Sequence, residues 1–384
     1  MIDSVRELFK KKFDAEPVII RSPGRVNMIG EHTDYNEGFV LPAAVDKSII
    51  FALRPNGKEV AQIYSADLDQ YVEFDIAGDT YEKSDRGWPN YLMGVAQQLE
   101  LAGYELAGFD CVFGGDIPIG AGMSSSAALE GGLILGLNEI FNLDVPQIDM
   151  AKLGQKAENQ FVGVNCGIMD QFANIFGREG RVFQLDCRSL EFEYYPFERE
   201  DLRIVLCDTQ IRRELATSEY NIRRSQCEQG VELLQKYESG IKSLRDVSLD
   251  LLREHKAELD PTVFTRCEYV IEENLRVQEA CACLEKDDYI GFGGLMNSSH
   301  YGLSNKYEVS SPELDFLAYK AQGVDGVFGS RMMGAGFGGC TINLVQADAV
   351  EDFTAEIKSK YQEEYDTEAL VYVSKIEGGT SVLR

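Results

Sequence analysis

The sequence predicts an α+β protein of two domains, residues 1–198 and 199–384. Three observations lead there. The chain has 384 residues, about twice the common size of one domain, roughly 150 residues. In its first half, short β-branched and aromatic runs mix irregularly with helical periodicities, as in a mixed sheet with helices. After Pro196 the pattern restarts, and the tail reads as an α/β unit of the split βαβ, ferredoxin-like kind.

The elements follow in order. Ile2, Val5, Phe9 and Phe13 recur at helical spacing around Lys10–Lys12, so 3–13 is an amphipathic helix and no signal peptide. Val18–Arg21 reads as a strand broken by Ser22-Pro23-Gly24. Lys47–Arg54, Ala61–Ser65 and Phe109–Phe113 read as strands, with a helix over Tyr91–Ala102. Helices are predicted at about Ser125–Phe141, Pro146–Phe161 (stopped by Gly163) and Ile168–Phe176 (closed by Gly177). Val182–Leu185 and Glu191–Tyr195 form a hairpin. Beyond it come strand Arg203–Cys207 and helices at about 217–236, 248–256, 262–285, 287–295 and 312–321. Strands Gly326–Met332 and Cys340–Val345, a helix over 349–364 and strand Leu370–Val373 complete the chain.

The net charge of −27 argues against nucleic-acid or anionic-membrane partners, which want a basic face. An anionic substrate would need a local positive site. No apolar run nears the ~18 residues of a membrane span. Nine Cys without a CxxC pair, and only His32, His255 and His300, make no zinc site. Free thiols in a reducing cytoplasm are expected.

Three constellations could carry chemistry. Arg25, Asn27, Glu31, His32, Thr33 and Asp34 crowd one short loop, where packing alone has no use for them. Carboxylates accept from sugar hydroxyls, while Arg and His⁺ donate to them, so a polyhydroxylated ligand fits. Gly120-Ala-Gly-Met-Ser-Ser-Ser126 then opens a helix. Two glycines admit close backbone approach, and a helix N-terminus with free amides holds phosphate. No Gly-Lys-Ser/Thr is present, so this is not a Walker loop. An N-cap serine in a plain turn would need one serine, not three. Gly334-Ala-Gly-Phe-Gly-Gly339 matches a dinucleotide fingerprint literally, but a strand follows where a helix should, which excludes that reading. It is left as a β-turn or a loop lying against a ligand bound elsewhere. Asp170 falls in the first turn of a short helix, and Glu158 on the helix before it. Two carboxylates near a phosphate loop suit a metal and an acceptor hydroxyl.

Gly24-Arg-Val-Asn-Met-Ile-Gly-Glu-His-Thr-Asp-Tyr-Asn36 closely resembles the galactokinase signature. The Gly120–Glu130 and Gly334–Gly339 stretches resemble motifs of the wider superfamily that includes homoserine, mevalonate and phosphomevalonate kinases. The resemblance runs from about Val18 to Val345. It implies a two-domain small-molecule kinase, with a ribosomal S5 domain 2-like N-terminal half, a ferredoxin-like C-terminal half carrying added helices, and a site in the cleft. It implies phosphorylation of the anomeric hydroxyl of α-D-galactose by MgATP. Asp170 would be the catalytic aspartate and Arg25 its neighbour; Glu31, His32, Thr33, Asp34, Gly167 and Tyr220 would meet the sugar. Gly120, Ala121, Gly122, Met123, Ser124, Ser125 and Ser126 would cradle nucleotide phosphates, with Ser65 and Trp88 also at the nucleotide. Ser126 and Glu158 would hold Mg²⁺. A monomer is expected. Met123, Met333 and Asn165 stand where Leu, Thr and Pro are usual, so Met333 lacks a hydroxyl for phosphate. The rivals are a kinase for N-acetylgalactosamine or L-arabinose, and a non-catalytic galactose and ATP sensor. Sensors of that type lack the Ser-Ala pair that Ser126-Ala127 keeps here.

Overall fold

A computed structural model describes residues 1–76, 81–118, 120–211 and 216–383, without the side chains of 216–218. The chain runs α1 (Ile2–Phe13), β1 (Val18–Asn27), β2 (Phe39–Val40), β3 (Pro42–Pro55), β4 (Val60–Ser65) and β5 (Gln70–Asp75). Next come α2 (Gly87–Leu101), β6 (Phe109–Gly115), α3 (Ser125–Phe141), α4 (Gln147–Lys156), α5 (Met169–Phe176), β7 (Arg181–Asp186) and β8 (Phe192–Pro196). The second half holds β9 (Leu202–Asp208), α6 (Ala216–Leu234), α7 (Leu249–Glu254), α8 (Pro261–Glu285), α9 (Tyr289–Gly302) and α10 (Pro312–Gln322). It ends with β10 (Val327–Met332), β11 (Cys340–Gln346), α11 (Val350–Tyr365), β12 (Leu370–Ser374) and β13 (Ser381–Leu383).

The N-terminal sheet is ordered β13-β1-β3-β6-β4-β5, with only β4 and β6 parallel. The expected break at Ser22-Pro23-Gly24 is instead a shift of register between Pro23 and Arg25, and β1 continues to Asn27. A bulge absorbs the proline, whose missing N–H would otherwise interrupt the ladder. That continuation delivers Arg25 to the site. Helix α3 lies close on β3, because a side chain at Gly132 or Gly136 would strike Phe51 or Leu53. This close approach outweighs the poor helix propensity of glycine.

The C-terminal sheet is ordered β10-β11-β9-β12, antiparallel throughout. With helices between β9 and β10 and α11 before β12, this is the split βαβ order that the tail predicted. Several features went unseen in the sequence: strands β2 and β5, the extension of α9 to Gly302, and β13, which returns to pair with β1. A boundary at 198 therefore leaves one strand of the N-terminal sheet on the far side. The largest apolar core is continuous from β1, β3 and α2–α5 to Leu202, Ile204 and Leu206 of β9. Among the described residues, no helix is long and apolar enough to cross a membrane.

Candidate active site

Asp170 begins α5, and Arg25 reaches it from the end of β1. Arg25 Nε donates to Asp170 Oδ1 and Nη2 to Oδ2, both at 2.7 Å. This fork-to-carboxylate geometry is the strongest ion-pair arrangement available to side chains. The guanidinium is buried, which alone would lower its pKa, but the charge and hydrogen bond of Asp170, joined by the Glu31 and Asp34 charges, together raise it. Arg25 Nη1 also donates to the Gly122 carbonyl. One side chain thus ties the aspartate to the phosphate loop.

That loop has the backbone its glycines suggest. Gly120 and Gly122 sit at φ 77° and 72°. Ser124 is also left-handed, at φ 52°, and is the N-cap of α3 without capping it. Its hydroxyl donates to Asp170 Oδ2 instead. Among the described residues no side chain closes the amides of the first turn of α3, which keeps a positive helix end open beside Asp170.

Both groups open into one cavity of about 410 Å³, within the ~300–1,000 Å³ of small-molecule sites. Its wall includes Arg25, Glu31, His32, Asp34, Gly120, Gly122, Met123, Ser124, Ser125, Ser126, Glu158, Gly167, Asp170 and Tyr220. Sequence reasoning named all of these. Four other named residues lie outside the wall. Thr33 is fully buried, and its hydroxyl is committed to the Gly30 and Phe39 carbonyls, pinning the loop. Ala121 is buried beneath its own loop. Ser65 is buried in β4. Trp88 Nε1 donates to Gln70 at 2.8 Å, and its ring packs edge-on against Phe113.

Charge is distributed unevenly in the cavity. Burial first, and the Asp170 charge second, push Asp34 up to about 7. Gly167 leaves room for that carboxylate, since a side chain there would collide with it. His32 is pushed down to about 3 by burial, reinforced by the Arg223 and Arg331 charges. The expected His⁺ donor is therefore a neutral imidazole. Its Nδ1 pairs with the Tyr35 hydroxyl at 2.8 Å, which meets the Tyr307 hydroxyl at 2.7 Å. Tyr220 packs against the His32 and Tyr35 rings.

Glu158 stands on a π-helical turn, Ala157–Val162, that extends α4 and ends at Gly163. Burial and the Asp170 charge raise it to about 7. Gln171 Nε2 donates to Glu158 at 2.8 Å and to Glu130 at 3.0 Å. Burial and the Glu158 charge hold Glu130 well above the usual carboxylate range. Sequence reasoning passed over Glu130, Gln171 and Tyr91, the last of which also lines the cavity. The adjacency of Gln171 to Asp170 was the one available signal. It also gave no role to Arg331, the largest fully buried side chain.

The third glycine stretch lies over the phosphate loop. Met333 is buried, and a side chain at Gly122 would meet its Cε at 3.6 Å. A side chain at Gly336 would overlap the Val309 carbonyl. The loop is thus a cover wedged between α10's approach and the phosphate loop, and Met333 contributes packing in place of a hydroxyl.

Known proteins bear on this geometry. Residues 7–55 match the galactokinase galactose-binding signature, 90–178 the GHMP kinases N terminal domain and 268–363 the GHMP kinases C terminal family. A galactokinase of Roseiflexus sp. is 43% identical over 99% of this chain and 97% of its own length. One from Fusobacterium nucleatum is 40% identical over 100% and 99%. The crystal structure of Lactococcus lactis galactokinase complexed with galactose superposes with a TM-score of 0.95 at 37% identity, covering 99% of both chains. A mevalonate kinase shares the fold alone, with a TM-score of 0.63 at 19% identity. Full-length similarity of this degree, with the signature on the loop that carries Arg25, Glu31 and Asp34, means that the chain belongs to the galactokinase family.

Proposed function

We propose that this enzyme transfers the γ-phosphoryl group of ATP to the anomeric hydroxyl of α-D-galactose, releasing α-D-galactose 1-phosphate and ADP. One observation carries the reading. The Arg25–Asp170 pair stands between an acidic, hydroxyl-accepting loop and an open helix N-terminus, all in one cavity.

The roles follow from position. Asp34 and Glu31 accept hydroxyl hydrogen bonds, and neutral His32 with Tyr220 supplies an oriented, partly apolar wall. The amides of Ser125 and Ser126 receive the nucleotide phosphates. Asp170 holds the acceptor hydroxyl in line and takes its proton. Arg25 and Ser124 already occupy both of its oxygens, so proton removal comes late, after the bond to the leaving ADP has loosened. Arg25 stays charged and meets the negative charge on the transferred group.

A divalent ion fits beside this machinery. Glu158 and Ser126 are hard oxygen donors on the phosphate side of the wall. The raised Glu158 marks a place short of positive charge. Among the described residues no three His, Cys, Asp or Glu side chains converge on a metal position. Phosphate oxygens and water would complete the shell, as Mg²⁺ prefers. When bound, the ion neutralises phosphate charge.

The test is ADP release with MgATP and galactose, N-acetylgalactosamine, L-arabinose or glucose. Galactose should turn over best. Glucose should be rejected by about a hundredfold or more, because its inverted C4 hydroxyl leaves a buried acceptor unpaired. No galactose-dependent ADP release, or equal use of glucose, overturns the reading.

A pH dependence comes with Asp34. A carboxylate raised to about 7 is ionised only above that pH, so the acceptor is present at pH 8 and lost towards pH 6. The KM for galactose should rise as pH falls through 7. Asp34→Asn should raise KM about 10- to 100-fold at pH 8 and flatten the profile. A wild-type KM constant from pH 6 to 8 would refute this role.

A further inference from the structure

Arg331 is the penultimate residue of strand β10, and its guanidinium is completely buried. Every one of its N–H groups is used. Nε donates to the Met28 carbonyl at 2.8 Å. Nη1 donates to the Met332 carbonyl at 2.6 Å, Nη2 to the Asn27 carbonyl, and both to Glu31 Oε1 at 3.2 Å. The amide of Gly334, in the third glycine loop, donates to the same Glu31 oxygen at 2.9 Å. Among the described residues Glu31 Oε2 has no hydrogen-bond partner, and Glu31 lines the cavity.

One carboxylate therefore faces two ways. Its Oε2 is available to a ligand hydroxyl, and its Oε1 anchors the loop that covers the phosphate site. The loop next presses on Gly122 through Met333, and Gly339 lies over the Gly120 carbonyl. The Phe337 and Gly339 amides tie the far end of the loop to the Val309 and Ile211 carbonyls, while Gly334 and Gly336, at φ values of 87° and 83° open to glycine at little cost, leave the 334–336 stretch to be held by the Glu31 anchor.

We infer that Arg331 is a positioning residue that locks the third glycine loop to Glu31, so that sugar and nucleotide bind with positive coupling. The inference rests on the reading of the cavity as a galactose and nucleotide site. A hydroxyl on Oε2 fixes the carboxylate plane, which holds Oε1 against Gly334 and orders the loop over the phosphates. A nucleotide arriving second then has less ordering to do, and by linkage the effect is reciprocal.

The test uses the whole enzyme. The Kd for MgADP is measured by calorimetry with and without saturating galactose, and amide exchange is followed over 333–339. In the wild type, galactose alone should slow exchange across 333–339 and tighten MgADP by about five- to tenfold. Arg331→Lys keeps the charge but cannot supply the fork, so it should bind galactose while losing both effects. Wild-type galactose binding without protection of 333–339 and without a change in MgADP affinity overturns the inference, even where Arg331→Lys does not fold. Coupling that survives intact in a folded Arg331→Lys enzyme also overturns it. Failure of the wild type to bind galactose would instead refute the assignment of the sugar site.

Discussion

Asp170→Asn is expected to lower kcat by about a hundredfold to ten-thousandfold while galactose still binds measurably. The amide keeps the shape of the carboxylate and cannot take the proton. It also turns an N–H toward an Arg25 donor whichever oxygen it replaces, and toward the Ser124 hydroxyl as well where that oxygen is Oδ2. The acceptor hydroxyl thus loses its proton sink and its alignment together. Galactose should keep its contacts with Asp34 and Glu31, so the loss belongs to kcat and not to Kd. Single-turnover rates beside calorimetric Kd values separate the two. A variant within about tenfold of wild-type kcat would remove Asp170 from the chemistry.

Arg25→Met should be damaging in two ways. Losing a charged donor from the reacting centre costs about a hundred- to a thousandfold in kcat. It also leaves Asp170 without its buried partner, which costs about 3 kcal/mol or more of stability. The Arg25 side chain is 7% exposed and that of Asp170 25%, so solvent relieves little of this. The double variant Arg25→Met/Asp170→Asn should recover much of the stability and none of the activity. Its kcat should be no lower than that of the worse single variant, since the residues act as a unit. Denaturant unfolding and kcat across the four proteins form the cycle. Additive effects on both would dissolve the pair.

The positions that could be read from the sequence were those whose chemistry is local. Gly120 and Gly122, the serines after them and the start of α3 announce a phosphate site by backbone geometry within a few residues. Thr33 shows the limit of that reading. It sits in the same polar loop as Asp34, yet it spends its hydroxyl on holding the loop. Nothing in residue type separates a threonine that faces a ligand from one that faces a carbonyl. Arg331 and Glu31 lie 300 positions apart, and their pairing depends on how two sheets meet. The neutral state of His32 likewise comes from burial by Tyr35, Tyr220 and Tyr307, residues scattered along the chain. Secondary structure was clearest where amphipathic period was strong. It failed at β13, whose three residues carry almost no pattern and gain their identity from β1.

That last strand has a consequence for biosynthesis. Residues 381–383 close the outer edge of the sheet beside β1, and Gly379 and Thr380 bond the Gly177 and Asn174 carbonyls at the end of α5. Asn174 in turn grips Ser22 and the Pro23 carbonyl next to Arg25. A nascent chain on the ribosome thus holds both Arg25 and Asp170 from residue 170 onward but lacks these clasps on the end of α5 until residues 379–383 have emerged. Until then the first strand presents a bare edge, a hazard for self-association that a chaperone could mask. Chains cut short before Ser381 should accumulate as aggregates, whatever their remaining sequence encodes.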